Sequence, residues 1–132
     1  MTYSTEQVGD VWIMNLKGDV WGGWDIVELK DTVSRLAEDG ARKFLVDLRR
    51  THYVSSNGIG VLVAVLATLR KNDARLKLCS VSVRSRRALV VTGVWQLFET
   101  HKDRVSALRA FASGTGGGSK AGSPLQTSSR MG

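Results

Sequence analysis

One cysteine, one proline and two histidines are all that a chain of 132 residues holds of these types, and carboxylates are also scarce, 12 against 19 lysines and arginines. Cys79 has no second thiol with which to form an internal disulfide or a zinc site. The longest nearly apolar run, Gly58 to Leu69, falls short of the ~18 to 20 residues that a membrane-spanning helix needs, so it reads as an internal helix and no membrane partner is expected. The opening residues, Met1 to Glu6, lack the basic start and apolar stretch of a secretory signal, and the expected location is cytoplasmic. With only His52 and His101 to serve as bases, and no G-x-S-x-G elbow around any serine, nucleophilic catalysis is poorly supplied, and metal ligation equally so. The expectation is a non-catalytic protein with no metal and no cofactor.

What is present is ordinary for a soluble globular domain. Hydrophobic residues make up 42% and charged residues 23%, enough to build one core and too apolar for a fully disordered chain. The net charge of +7 raises nucleic acid as a partner, but the basic residues are scattered in ones and twos, and only Arg84, Arg86 and Arg87 form a dense group. A solvated surface is the plainer reading of these charges, with an acidic protein surface next.

Along the chain, Val11 to Leu16 is rich in strand formers and ends at Gly18 and Asp19; Asp19 to Trp21 offers a second short strand. Ile26, Leu29, Val33 and Leu36 mark one face of a helix that Asp25 can cap and Gly40 ends. Phe44 to Leu48 reads as a buried strand, and Ile59, Leu62, Val63, Leu66 and Leu69 as a nearly wholly buried helix capped by Ser55, Ser56 or Asn57. Leu76 to Val81 predicts another strand and Val83 to Thr92 a basic helix stopped by Gly93. Val94 to Phe98 leads into a short last strand, and a helix capped near Asp103 carries Val105, Leu108 and Phe111. Such alternation implies an α/β sheet, largely parallel, with crossover helices. Residues 113–132 change composition abruptly, with six glycines, five serines, Pro124 and no carboxylate, and are expected to be a disordered tail on a domain spanning 1–112.

The segment from Val46 to Leu62, VDLRRTHYVSSNGIGVL, joins a strand to a helix through a polar loop. A helix start presents unpaired N–H groups and partial positive charge, favouring an anion there by ~0.3 to 1 kcal/mol. Phosphorylating Ser55 or Ser56 would put a dianion at that point, near Arg49, Arg50 and His52 in sequence, although serine at a helix start is most often only a cap. Gly58 and Gly60 permit close backbone approach without forming a phosphate-binding loop that ends in GK[ST].

This stretch resembles the signature of STAS domains, the family of sulfate transporter domains and bacterial anti-sigma factor antagonists, in which a strand ending D-L is followed by a loop, D-[ST]-[ST]-G-[LIV]-G and an apolar helix. Asp47 and Leu48 match the strand end, Ser56 the phosphoacceptor, and Gly58, Ile59 and Gly60 the glycine pair; Thr92, Gly93, Val94, Leu97 and Phe98 are similar to a later family motif. Ser55 stands where the family has Asp, and Asn57 where it has Ser or Thr. The resemblance implies a mixed, largely parallel sheet of four or five strands, with about four helices packed mainly on one side. It implies an anti-sigma factor antagonist that binds an anti-sigma factor of the serine-kinase type and so regulates transcription, with Ser56 (alternatively Ser55) as the switch and a phosphatase to reset it. Ser55, Ser56, Asn57, Gly58 and Gly60 would then meet the partner. Trp21 and Trp24, flanking Gly22 and Gly23, read first as core residues and otherwise as partner anchors. The alternative is a scaffold or subunit of a signalling or lipid-transport complex without phosphoregulation; self-association is left open.

Overall fold

The computed structural model describes residues 1–113. Its sheet has five strands in the order β1 (Thr2–Val8), β2 (Val11–Lys17), β3 (Lys43–Arg50), β4 (Arg75–Cys79) and β5 (Glu99–His101). The first pair is an antiparallel hairpin closed at Gly9 and Asp10, with Val8 opposite Val11; the other pairings are parallel. The helices are α1 (Trp24–Glu38), α2 (Ser56–Lys71), α3 (Val83–Val91) and α4 (Arg104–Ser113), with a single 3₁₀ turn at Trp95–Leu97. The mixed sheet and four helices agree with the architecture expected from the sequence. The expected tail lies outside the described residues, apart from Ser113 at the end of α4.

Alternation along the strands sorts side chains onto two unequal faces. Met14, Leu16, Phe44, Val46, Leu48, Leu76 and Leu78 point to the face covered by α1, α2 and α3, where Ile26, Leu29, Val33, Leu62, Leu66, Leu69 and Leu89 complete the main core. Val11, Ile13, Leu45 and Cys79 point the other way, to a smaller cluster closed by Ala107 and Phe111 of α4. Burying each large apolar side chain contributes about 1.5–3 kcal/mol, so most of the stabilisation lies on the three-helix face.

The smaller face is strongly polar. The Lys77 side chain is fully buried there, donates to Glu99 at 3.0 Å and lies 4.9 Å from the centre of the Phe111 ring. Burial pushes its pKa down, against the pull of Glu99. Arg104, at the start of α4, reaches Glu6 at 3.1 Å and Asp47 at 3.3 Å, and also donates to Asn15. Burial, aided by Asp47, pushes the Cys79 thiol up to about 12, which leaves it a packing residue.

Several sequence expectations need correction. β1 was not foreseen, although Gly9 and Asp10 offered a hairpin turn between two strand-forming runs. Asp19 to Trp21 is not a strand: only Val20 makes a bridge, to Val54. Asp25 is not the N-cap of α1, which is Gly23; from the first turn its carboxylate accepts from Ile26 N–H at 2.8 Å and pairs with the Met1 amine at 3.1 Å. α2 buries Ile59, Leu62, Val65, Leu66 and Leu69 but leaves Gly60 and Ala67 exposed, so it is one-sided rather than wholly buried. Val105 faces solvent, because the anchors of α4 are Ala107 and Phe111.

Candidate protein-docking site at the start of helix α2

Parallel strands bring the loops that follow β2, β3 and β4 to one end of the sheet, the end at which open α/β folds bind their ligands. Hydrogen bonds lock the first two loops together. Val20 N–H donates to the Tyr53 carbonyl at 2.9 Å, Ser55 N–H to the Val20 carbonyl at 2.8 Å, and Tyr53 N–H to the Asp19 carboxylate at 3.1 Å. The third loop joins through Ser82, whose hydroxyl donates to the His52 carbonyl at 2.7 Å and whose oxygen accepts from Ser85 N–H, capping α3. Three segments far apart in sequence thereby form one surface.

Ser55 and Ser56 do different things on it. Ser55 is the N-cap of α2: its backbone is extended, its hydroxyl oxygen accepts from Gly58 N–H at 3.1 Å, and its carbonyl accepts from Ile59 N–H at 2.8 Å. Ser56 is the first helical residue and is exposed, as is Asn57. No acidic residue occupies the first turn of α2, so the partial positive charge of the helix start is not neutralised there.

The two glycines also divide. Gly58 is buried, and a Cβ on it would lie 2.8 Å from Val20 Cγ1, 3.0 Å from the Val20 carbonyl oxygen and 3.1 Å from Val54 Cγ1. Its place is internal packing between the loops. Gly60 is exposed, with nothing near a prospective Cβ. A third glycine, noted in the sequence only as lying between the two tryptophans, belongs to the same contact. Gly22 has a φ of +92° and sits so close to the helix start that a Cβ would come within 2.5 Å of Asn57 Cβ, a position that only glycine fills without displacement.

Trp21 and Trp24 are not core residues. They are 62% and 77% exposed, on either side of the Gly22 and Gly23 turn that touches Asn57. Trp21 packs against Tyr53 with ring centres 5.4 Å apart, and the Arg84 guanidinium lies 4.8 Å above the Tyr53 ring. Tyr53 and Arg84 were not singled out from the sequence for this surface; their partners lie in other loops, and no spacing rule connects them. Arg49 and Arg50 are exposed at the end of β3, and His52 contributes its carbonyl to the loop contact while remaining exposed. Among the described residues, no group of three or more His, Cys, Asp or Glu side chains could hold a metal ion, and no helix is long and apolar enough to cross a membrane.

The STAS domain family model matches residues 2–107. An anti-sigma-B factor antagonist from Staphylococcus aureus is 30% identical over 79 residues, which is 60% of this chain and 73% of that protein. Among solved structures, an anti-sigma-factor antagonist (STAS) domain protein from Planctomyces limnophilus superposes with a TM-score of 0.71 at 21% identity, covering 85% of this chain and 99% of that one. The Bacillus cell fate determinant SpoIIAA in its phosphorylated form gives a TM-score of 0.65 at 16% identity, covering 83% and 99%. These two structural likenesses carry the fold.

Proposed function

The chain belongs to the STAS domain family, and from that premise we propose that it is an anti-sigma factor antagonist. It acts by protein contact, binding an anti-sigma factor of the serine-kinase type and releasing the sigma factor. Ser56 is the switch residue. The observation that carries this reading is the division of labour between the serines: Ser55 holds the helix cap, while Ser56 stands exposed at the first helical position, next to Asn57, which lies against the Gly22 turn between the exposed Trp21 and Trp24. Ser55 thus performs the capping task open to the aspartate that the family motif has at this position, leaving the adjacent hydroxyl free to react.

Phosphorylation at Ser56 would add about two negative charges and three acceptor oxygens at the rim of the docking surface. Charge introduced into a fitted interface costs desolvation and repulsion, and every ~1.4 kcal/mol lost weakens binding tenfold. A phosphatase would restore the binding form. Ser55, Asn57, Gly60, Trp21 and Trp24 make up the rest of the partner surface, and Gly58 supports it from below.

The test begins with co-purification of the native protein and its anti-sigma factor, followed by incubation with ATP. Phosphate should enter the wild-type chain and be absent from Ser56→Ala, and Ser56→Asp should bind the partner more weakly at nearly unchanged thermal stability. A labelled Ser56→Ala protein would refute the assignment. Partner binding with no phosphate transfer at all would instead make the domain a scaffold without the switch.

A further inference from the structure

The sequence spreads its basic residues thinly, but the fold collects them. The loops and helix starts around Ser56, residues 17–23, 49–56 and 80–87, carry Lys17, Arg49, Arg50, Arg84, Arg86 and Arg87 against Asp19, while the neighbouring segments bring the carboxylates Asp25 and Glu28 beside Trp24 and Asp103 in the loop after β5. Asp19 is half-buried and accepts from Tyr53 N–H. None of the six cations forms an ion pair among the described residues, and all six are exposed. The opposite end of the sheet is mixed in sign: Asp10, Asp39 and Asp73 are exposed there alongside Arg42, Arg70 and Lys71.

Two of the arginines are also held in position. Arg84 lies over Tyr53 at 4.8 Å, and Arg86 over Trp95 at 5.1 Å. A guanidinium stacked on a ring keeps its N–H edge available and has less freedom to lose on binding a carboxylate. The Trp21–Tyr53–Arg84 ladder joins this basic group to the exposed Trp21 indole. Val83, 76% exposed at the start of α3, adds apolar surface beside Arg84.

We propose that this end of the molecule is a docking face for an acidic protein surface, in which Arg84 and its neighbours Arg86 and Arg87 engage carboxylates while Trp21 enters apolar ground between them. The proposal rests on the reading of the Ser56 end as the partner face and gives that partner its chemistry. It also supplies a reason for a phosphate at Ser56 to act: a dianion beside the arginines cancels the charge that attracts the partner.

The test needs no kinase and no anti-sigma factor. The probe is a fluorescein-labelled peptide of glutamate and leucine, followed by anisotropy against the full chain, with a single-stranded oligonucleotide and phosphatidylglycerol vesicles as competing anions. The peptide should bind at low salt and lose about tenfold or more in affinity as salt rises through the physiological range. Arg84→Glu should weaken it about tenfold, Trp21→Ala several-fold, and Ser56→Asp measurably. Lys71→Glu makes the same charge change at the far end of α2 and should have no effect. Equal binding by wild type and Arg84→Glu, no peptide binding at low salt, or tighter binding of oligonucleotide or vesicles than of peptide would each overturn the proposal. Because phosphate transfer plays no part in the assay, failure of Ser56 as the switch and failure of the acidic-partner face are read separately.

Discussion

At the scale of single residues, the candidate site turns on pairs of neighbours that look alike in sequence and are opposite in structure. Gly58 and Gly60 form one such pair. Gly58→Ala forces a methyl against Val20 and Val54 and should cost about 1–3 kcal/mol. Gly60→Ala places a methyl in open space on a helix and should stabilise by about 0.5–1 kcal/mol. Urea denaturation of the two variants separates these outcomes, and equal effects would contradict the packing described for Gly58. Ser55 and Ser56 form the second pair. Ser55→Ala removes the cap of α2 and should lower stability by ~1 kcal/mol, whereas Ser55→Asp should be close to neutral because a carboxylate caps as well as a hydroxyl. Local sequence identified this position as a helix start and offered three cap candidates. The chain path was needed to choose among them, since the bond from Ser55 N–H to the Val20 carbonyl of the preceding loop holds Ser55 where its hydroxyl accepts from Gly58 N–H.

At the scale of elements, β4 and β5 carry a buried ionic cluster under α4 that no periodicity announces. Lys77 looks like the polar member of an alternating strand and is instead fully enclosed, because Phe111 comes down over it from a helix distant in sequence. His101 stands in the same cluster, facing Lys77, Glu99 and Asp103, with its Nε2 buried and without a hydrogen-bond partner among the described residues. Burial, reinforced by the charge of Lys77, lowers the His101 pKa below its ordinary 6.5. The unfolded chain therefore takes up this proton first. Stability should fall as pH drops from 6.5 to the lowered folded-state value, and no further on account of His101 below it. A second loss follows in acid as Glu6 is protonated, since the Asn15 amide and Arg104 hold its carboxyl below 4.5. Urea midpoints measured across this range should show the first step in wild type and lack it in His101→Gln; persistence of the step in that variant would assign it elsewhere.

At the scale of the whole molecule, the two faces of the sheet are unequal. The α1, α2 and α3 face is continuous apolar core, whereas α4 is anchored by Ala107 and Phe111, half-buried Leu108 and the polar contacts of Arg104. Local opening free energy follows buried apolar contact, so α4 amides should exchange hydrogen through openings well below the global unfolding free energy, while those of α2 and β3 approach it. Native-state exchange measures this directly, and equal protection of α4 and α2 would be inconsistent with so small an anchor. The same inequality leaves the Ser56 end on the rigid side of the molecule, because its loops are tied to β2, β3 and α2 rather than to α4.

The amino-acid sequence alone determined the alternation of strands and helices, the buried strand at Phe44 to Leu48, a helix start within Ser55 to Asn57 and the family motif around Ser56, because each is written in neighbouring residues through period, capping and turn chemistry. Only the tertiary structure decided that Trp21 and Trp24 face outward, that Gly22 lies against Asn57, that Arg84 stacks on Tyr53 and that scattered arginines become one basic end. The physical reason is the parallel sheet. Each crossover starts the next strand in the same direction, so successive loops emerge at the same end of the sheet, side chains separated by thirty residues or more in sequence become neighbours, and no local pattern records which of them will meet.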